Sequence, residues 1–257
     1  MNYEHGYHAG SHADVFKHAV LVMLLDFLLQ KDKPMTYIDL YAGSGEYNLY
    51  ERPSQEFLSG IARLKDKPLK DPYLKQYFEL AKDFHHYPGS PKIAKKLLRP
   101  QDEIILVEKA DRPFRLLNKF FPNDKQVHIH NMDAEIAIKG LLPPKIKRGL
   151  VLIDPAYENI DEFKNLPYLI KTGLEKFSTG CFLIWYPIKS RTVIKAFHEK
   201  LTQQIKDEML IMECCPYPDD VPIRLNGSGL VLVNPPWKFK EASQKMIAEL
   251  RELLKQT

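Results

Sequence analysis

Residues 149–158 read GLVLIDPAYE, an apolar run that ends in Asp154, Pro155, Ala156 and Tyr157. A carboxylate at a strand end can accept one N–H of an exocyclic amino group, and a backbone carbonyl beside it can accept the other. Such a nitrogen attacks poorly while its lone pair is delocalised into a ring, and the two acceptors help it become tetrahedral. Proline fixes φ and removes a competing donor, so the turn presents its carbonyl outward. An aromatic side chain offers the ring a plane to stack on. Asp154, Pro155 and Tyr157 are therefore the candidate catalytic residues, suited to group transfer onto the amino group of a flat base. Ala156 gives up only rigidity, because its carbonyl remains. A second stretch, GLVLVNPPWK at 229–238, offers an intact Asn-Pro-Pro-Trp after a similar strand.

These residues need elements to hold them. Strands are predicted at 35–41, 103–109, 126–132, 149–155 and 180–187, with amphipathic segments such as Asp111 to Phe121 and Ile160 to Lys176 between them. Near-continuous apolar strands alternating with helices predict a parallel sheet covered on both faces. Residues 42–102 far exceed one crossover helix. They read as helices over 54–65 and 72–86 followed by Tyr-Pro-Gly-Ser-Pro, so a helical insertion at 51–89 is expected within a single domain spanning 1–257. Toward the C-terminus, DEMLIMECC and SGLVLVNPP are joined by a Pro/Asp-rich loop too short for a helix, which predicts antiparallel neighbours.

A doubly wound, mostly parallel seven-stranded α/β sheet closed by one antiparallel strand is the Rossmann-like architecture of S-adenosylmethionine (SAM) methyltransferases. A plain dinucleotide-binding fold keeps every strand parallel. That topology separates the two motifs. Asp154 ends the fourth parallel strand, beside the first, and faces the same crevice as Gly43 and Gly45. Asn234 ends the antiparallel strand at the opposite edge, so Asn-Pro-Pro-Trp reads as a strand stop with a packed Trp.

The first strand runs into Asp39-Leu-Tyr-Ala-Gly-Ser-Gly45. Glycines at a strand-to-helix turn let the backbone approach a ligand and allow positive φ. The Gly-x-Gly-x-x-Gly pattern fails at Asn48, which favours an adenosyl ligand without phosphates over a pyrophosphate. Glu108 ends the second strand, where such folds place a carboxylate on the ribose hydroxyls. Asp133 follows the third and could receive an adenine amino group. A solvated charge at Glu108 and a helix N-cap at Asp133 are the plainer alternatives.

The chain has 257 residues, a formal net charge of +4 and three cysteines, Cys181, Cys214 and Cys215. No Cys-x-x-Cys is present, so neither a disulfide framework nor a zinc knuckle is indicated, and a reducing cytoplasm is expected. The N-terminus lacks a signal-peptide pattern. The run VFKHAVLVMLLDFLL is too short to span a bilayer and reads as a buried amphipathic helix. YEHGYHAGSHADVFKH carries His5, His8, His12 and His18. The i, i+4 pair His8 and His12 lacks the partners of a zinc site. Buried histidines, or contacts to phosphate and base by Tyr3, Tyr7 and Lys17, are the alternatives. Basic clusters at Lys92, Lys95, Lys96 and Arg99, and at Lys145, Lys147 and Arg148, read as solvated faces or nucleic-acid contacts.

Together YEHGYHAGSHADVFKH, DLYAGSGEY, YPGSPKIA, LVEKADRP, GLVLIDPAYE, LIWYPI and SGLVLVNPPWK resemble the bacterial large-subunit (23S) ribosomal RNA adenine-N6 methyltransferases. These are SAM-dependent enzymes with a helical subdomain. The resemblance covers nearly the whole chain. It implies that His18, Tyr41, Ser90, Glu108, Asp133, Ala134 and Asp154 contact SAM along with Gly43 and Gly45, and that Asp154 is also the catalytic group. It further implies that Tyr3, His5 and Lys17 meet the RNA. The expected enzyme is a cytoplasmic monomer without a metal or a membrane. Three positions depart from the family: Asp-Pro-Ala-Tyr stands for Asp-Pro-Pro-Tyr, Tyr41 for a His, and Ala134 for a Gly. The rival readings are a SAM- or RNA-binding protein that has lost turnover through Ala156 and Tyr41, and a DNA-directed methyltransferase or external-DNA utilisation factor. A nicotinamide-dependent dehydrogenase fits least, given the failed glycine pattern.

Overall fold

The computed structural model describes residues 8–51, 54–158, 161–218 and 225–255. In chain order come α1 (His12–Leu29), β1 (Thr36–Asp39), β2 (Glu46–Tyr47), two 3-10 turns (Glu56–Ser59 and Ile61–Leu64), α2 (Pro72–Ala81), β3 (Tyr87–Pro88) and α3 (Ser90–Leu97). Then follow β4 (Glu103–Val107), α4 (Asp111–Phe120), β5 (Val127–His130), α5 (Ala134–Leu141), β6 (Gly149–Ile153) and α6 (Asp161–Lys176). The chain continues through β7 (Cys181–Ile188), α7 (Arg191–Gln204), β8 (Met209–Cys214), β9 (Gly227–Val233) and α8 (Phe239–Leu254).

Seven strands form one sheet in the order β5-β4-β1-β6-β7-β9-β8. β1 pairs in parallel with both β4 and β6, while β9 runs antiparallel to both β7 and β8. The chain builds outward from β1 to β4 and β5, then returns to place β6 on the other side of β1. Strand order therefore reverses between β1 and β6, and the carboxyl ends of those strands open a crevice where such sheets bind ligands. Successive residues of a strand point to opposite faces. Leu150 and Leu152 enter the core shared with α1, α2, α3 and α8, whereas Val151 and Ile153 enter the core under α5, α6 and α7.

Three local outcomes differ from the sequence expectation. First, α1 is not amphipathic: it is buried on every face from His12 to Leu25, because α2, α3, α8 and β9 pack around it. Each buried Val, Leu or Phe contributes about 1.5–3 kcal/mol. Val15, Phe16, Val20, Leu21, Val22, Leu24 and Leu25 together outweigh the several kcal/mol that burying each ion of α1 costs. Second, the stretch expected as a helix over 54–65 is two separate 3-10 turns. Gly60 divides them, and Ile61 N–H donates to the Gly10 carbonyl at 2.9 Å. A Cβ at Gly60 would stand 2.1 Å from that oxygen, so the chain bends where it crosses the start of α1. The second expected helix ends at Ala81 rather than 86. Third, Trp237 is not packed but 82% exposed. The strand-stop role falls to Asn234, whose Nδ2 donates to the Ser178 and Gly180 carbonyls at 3.0 Å each.

His12 shows what α1 does to a titratable group. It is 5% exposed and its ring meets Tyr217 edge-on at 5.7 Å. Burial drives its pKa down to about 4, against a backbone hydrogen bond at Leu225. Between pH 6.5 and 4 the unfolded chain then holds the proton that the folded one refuses, so lowering the pH destabilises the fold. The expected loss from this residue is about 2 kcal/mol between pH 7 and pH 5. Urea unfolding of His12→Gln should show a shallower acid-side decline than the native protein; an unchanged slope would refute the assignment. Among the described residues no helix is long and apolar enough to cross a membrane, and no group of three or more His, Cys, Asp and Glu is placed to hold a metal ion.

Candidate active site

The crevice at β1 and β6 is organised by a short ribbon that the sequence does not announce. β2 pairs antiparallel with β3, matching Glu46 to Pro88 and Tyr47 to Tyr87, and Gly89 N–H donates to the Gly45 carbonyl at 2.9 Å. Tyr-Pro-Gly-Ser-Pro, which looks like a plain turn, is thereby folded against the glycine loop. Ser90 Oγ then donates to Asp39 Oδ2 at 2.7 Å. Tyr37 Oη donates to the same oxygen at 2.9 Å, and the Tyr41 N–H donates to Asp39 Oδ1 at 3.2 Å. Burial raises the Asp39 pKa to about 6, despite these three donors. Asp39 is a site residue that motif reading passed over; its signal was an acidic residue ending an apolar strand just before glycines.

The loop between β1 and β2 carries Gly43 at φ +62° and Gly45 at φ +80°. Tyr47 Oη accepts the Ser44 N–H at 3.1 Å, and Glu108 Oε2 accepts the Gly43 N–H at 2.9 Å. Glu108 Oε1 takes the Ala110 N–H at 2.7 Å. A carboxylate has about four acceptor sites, so Glu108 both pins the loop and keeps capacity for hydroxyl donors. A Cβ at Gly43 would lie 2.4 Å from Tyr47 Oη. Left-handed backbone costs an L residue about 1–2 kcal/mol. Gly43→Ala should therefore lower stability by about 1–2 kcal/mol in urea unfolding, and native stability in that variant would refute the strained-loop assignment.

Asp133 is the N-cap of α5: Oδ1 accepts the Glu135 N–H at 2.8 Å and Oδ2 meets Lys109 Nζ at 3.0 Å. Burial works against its ionisation, yet those two partners lower its pKa. The capping alternative is thus present, on a residue that follows the carboxyl end of β5. Ala134 starts α5 and is buried. Tyr41 is partly buried, and burial first, then the Glu162 and Asp133 carboxylates, keeps its phenol protonated.

The fourth wall is Asp154, immediately after β6. Lys17 Nζ lies 2.5 Å from Asp154 Oδ2 and 2.7 Å from Asp14 Oδ1. The lysine side chain is 4% exposed, with Asp14 at 3% and Asp154 at 13%. Burial alone would push the Lys17 pKa down, but the two carboxylates outweigh it and hold the group charged. This revises the expectation that Lys17 meets RNA: its ammonium is committed to two carboxylates inside the fold. Asp14, which also accepts the Gly10 N–H at 3.0 Å, was not singled out from the sequence. His18, one residue on, is 1% exposed, with Nδ1 3.2 Å from Tyr87 Oη. It stands behind the β3 ribbon.

Beyond Asp154, Pro155 is buried and Tyr157 takes φ +51°. The Tyr157 N–H donates to Glu162 Oε2 at 2.8 Å, and its Oη donates to the Trp185 carbonyl at 2.8 Å. Its ring lies 4.5 Å from Phe163 and 5.7 Å from Trp185. Burial, then Asp154 and Glu162, raises its pKa, so the phenol stays a donor. Tyr157 is therefore a plane clamped at both ends. Tyr3, Tyr7 and His5 lie outside the described residues. His8 is exposed, with Nδ1 3.0 Å from Glu56 Oε2.

A seven-stranded sheet with one reversed strand, a glycine loop after β1 and carboxylates ending β4 and β6 is the apparatus of a SAM-dependent methyltransferase. The model of the family described as "Ribosomal RNA large subunit methyltransferase D, RlmJ" matches residues 32–257. The chain belongs to that family. It is 35% identical to "Ribosomal RNA large subunit methyltransferase J" of Escherichia coli (strain K12), over 99% of this chain and 94% of the relative. The protein of the same name from Haemophilus influenzae is 34% identical over the same shares. A crystal structure of a Legionella pneumophila protein superposes with a TM-score of 0.88 at 33% identity, covering 96% of this chain and 94% of that one.

Proposed function

We propose that the chain methylates the N6 amino group of an adenine in 23S rRNA, with SAM as donor and Asp154 as the catalytic carboxylate. The observation that carries this reading is the placement of Asp154: it ends β6 next to the β1 loop and is held by Lys17 through one oxygen. Carboxylates accept at both oxygens, so Oδ1 can take one N–H of the amino group and the Pro155 carbonyl the other. Tyr157 supplies the stacking plane for an extruded base. When bound, SAM supplies an electrophilic methyl group on a positive sulfonium.

The residues at the crevice suit that donor. Glu108 and Asp133 offer acceptors at successive strand ends for ribose hydroxyls and an adenine amino group, and the glycine loop offers backbone without a lysine for phosphates. Gly43, Gly45, Ser90 and Ala134 would form the walls, with Tyr41 packing on the ligand and His18 supporting the β3 ribbon from behind. Residues 51–89 read as one helical insertion within a single domain, with α2 against α1 and α8. Asp154 need not take a proton before attack, because a neutral amine can attack and lose its proton afterwards. Most of the rate gain would come from positioning. Ala156 keeps its carbonyl, so its departure from Asp-Pro-Pro-Tyr removes a φ restraint and nothing that touches the base.

The test is transfer of labelled methyl from SAM to deproteinised 23S rRNA that lacks its native modifications, with nucleoside analysis of the product. N6-methyladenosine made by the native protein is the expected result. Transfer to DNA of matching sequence in preference to RNA would overturn the substrate, since RNA recognition draws on loop shape and 2′-hydroxyls.

A further inference from the structure

The Asn-Pro-Pro-Trp motif has no part in that chemistry, and its position is informative. β9 runs antiparallel, so its end at Val233 lies against Phe182 at the start of β7. That is the amino edge of the parallel strands, at least the length of five-residue β6 from Asp154, roughly 17 Å. At this edge Trp237 is more exposed than any other large hydrophobic side chain among the described residues. Lys238 Nζ stands 4.1 Å from its ring centroid. The indole opens on a groove walled by Phe27, Gln30, Ala242 and Lys245.

The loops around it are basic. Arg148 donates to the Lys33 carbonyl at 2.7 Å, and Thr179 Oγ1 donates to the Lys147 carbonyl at 3.2 Å. Asn234 Nδ2 reaches the adjacent Ser178 carbonyl. The loop after α1 and the loop before β6 are thereby gathered beside the motif. Exposed Lys31, Lys33, Lys147, Lys206, Lys238, Lys240 and Lys245 outnumber the exposed acids Asp32, Asp207, Glu208 and Glu241. An indole left in water gains the fold nothing by burial. A flat aromatic ring among ammonium groups is what unpaired nucleic acid binds: a base stacks on the ring and phosphates meet the lysines.

We infer that this edge is a second RNA-contact site, where an unpaired base of the substrate stacks on Trp237 and its flanking phosphates lie along Lys238, Lys245 and the Lys31–Lys33 loop. The inference rests on the rRNA reading of the active site. It adds a contact that a short hairpin seated at Asp154 does not reach.

The experiment compares binding and methylation of a long deproteinised 23S rRNA fragment with those of a short hairpin carrying the same target adenine. Trp237→Ala should bind the long fragment about ten-fold more weakly, with kcat and the hairpin KM unchanged. Trp237→Phe should retain most of the affinity. Replacing Lys238 and Lys245 by Ala should lower the salt slope of long-fragment binding by about one to two. Equal binding of the long fragment by native protein and Trp237→Ala overturns the inference, as does an equal loss on the hairpin. A dimer of the native protein that Trp237→Ala abolishes, without change in RNA binding, assigns the surface to a second copy of the chain and also overturns it. Binding is read without turnover. Failure of methylation by the native protein would thus count against the active-site reading, and the Trp237 result would stand apart from it.

Discussion

Asp154→Ala is expected to lower the single-turnover methylation rate by about 10²–10³-fold, the usual cost of removing one preorganised hydrogen-bonding group from a reacting centre. Asp154→Asn should lose less, because an amide oxygen still accepts one N–H of the base. The ordering of the two variants matters more than either value. If Asp154 served only to hold Lys17, both would fail alike, since neither offers the ammonium a charge. Cofactor binding by calorimetry on the same samples separates chemistry from assembly of the site. A turnover in Asp154→Ala within a few-fold of native would remove Asp154 from the mechanism and return attention to the turn around Pro155.

The second large effect is on Lys17. Its ammonium lies between two buried carboxylates, and removing one partner of a buried ionic group typically costs 3–5 kcal/mol because the charges left behind are uncompensated. Lys17→Met should be destabilised by about that amount in urea unfolding and should turn over poorly. Asp14→Asn combined with Lys17→Met removes one of the stranded charges, so it should recover part of the stability. Turnover should stay low, because Asp154 would lose the group that fixes its orientation. Native kcat in the double variant would reduce Lys17 to a structural ion and discard its role as a positioning residue.

The parts of this molecule that were legible in the sequence are those written in local pattern. Apolar runs at the β4, β6 and β7 positions, and the short connection between β8 and β9, dictate a mostly parallel sheet with one reversed strand. Asp154 and Asn234 follow near-identical strands, and only the direction of those strands tells them apart. What was not legible depends on partners distant along the chain. Lys17 and Asp154 are 137 residues apart, so a lysine that looks like an RNA contact becomes a grip on Asp154, the carboxylate proposed to be catalytic. Asp39 and Ser90 are 51 apart, joined by a two-residue ribbon with no β signature of its own. α1 reads as amphipathic because His12, Asp14, Lys17, His18 and Asp26 punctuate it. Asp14 and Lys17 pair with each other, Lys17 also meets Asp154, and His18 and Asp26 meet Tyr87 and Tyr73, a compensation that no hydrophobic period reveals. Trp237 fails for the opposite reason: pattern says that an indole after a strand packs, and nothing local shows that the groove beside it stays open.

The all-round burial of α1 has a consequence for how the chain reaches this structure. Its partners are spread from α2 through β9 to α8, which ends at Leu254, so an apolar helix made before all of them stays partly uncovered until α8 has been made. Contacts of such sequence separation form slowly, since loop-closure entropy is lost before they are rewarded. Folding should therefore be committed late, with a period in which α1 is a sticky, uncovered segment prone to association with other chains. The helix that brings Lys17 to Asp154 is also the one that leaves the nascent protein dependent on protection until α8 has emerged.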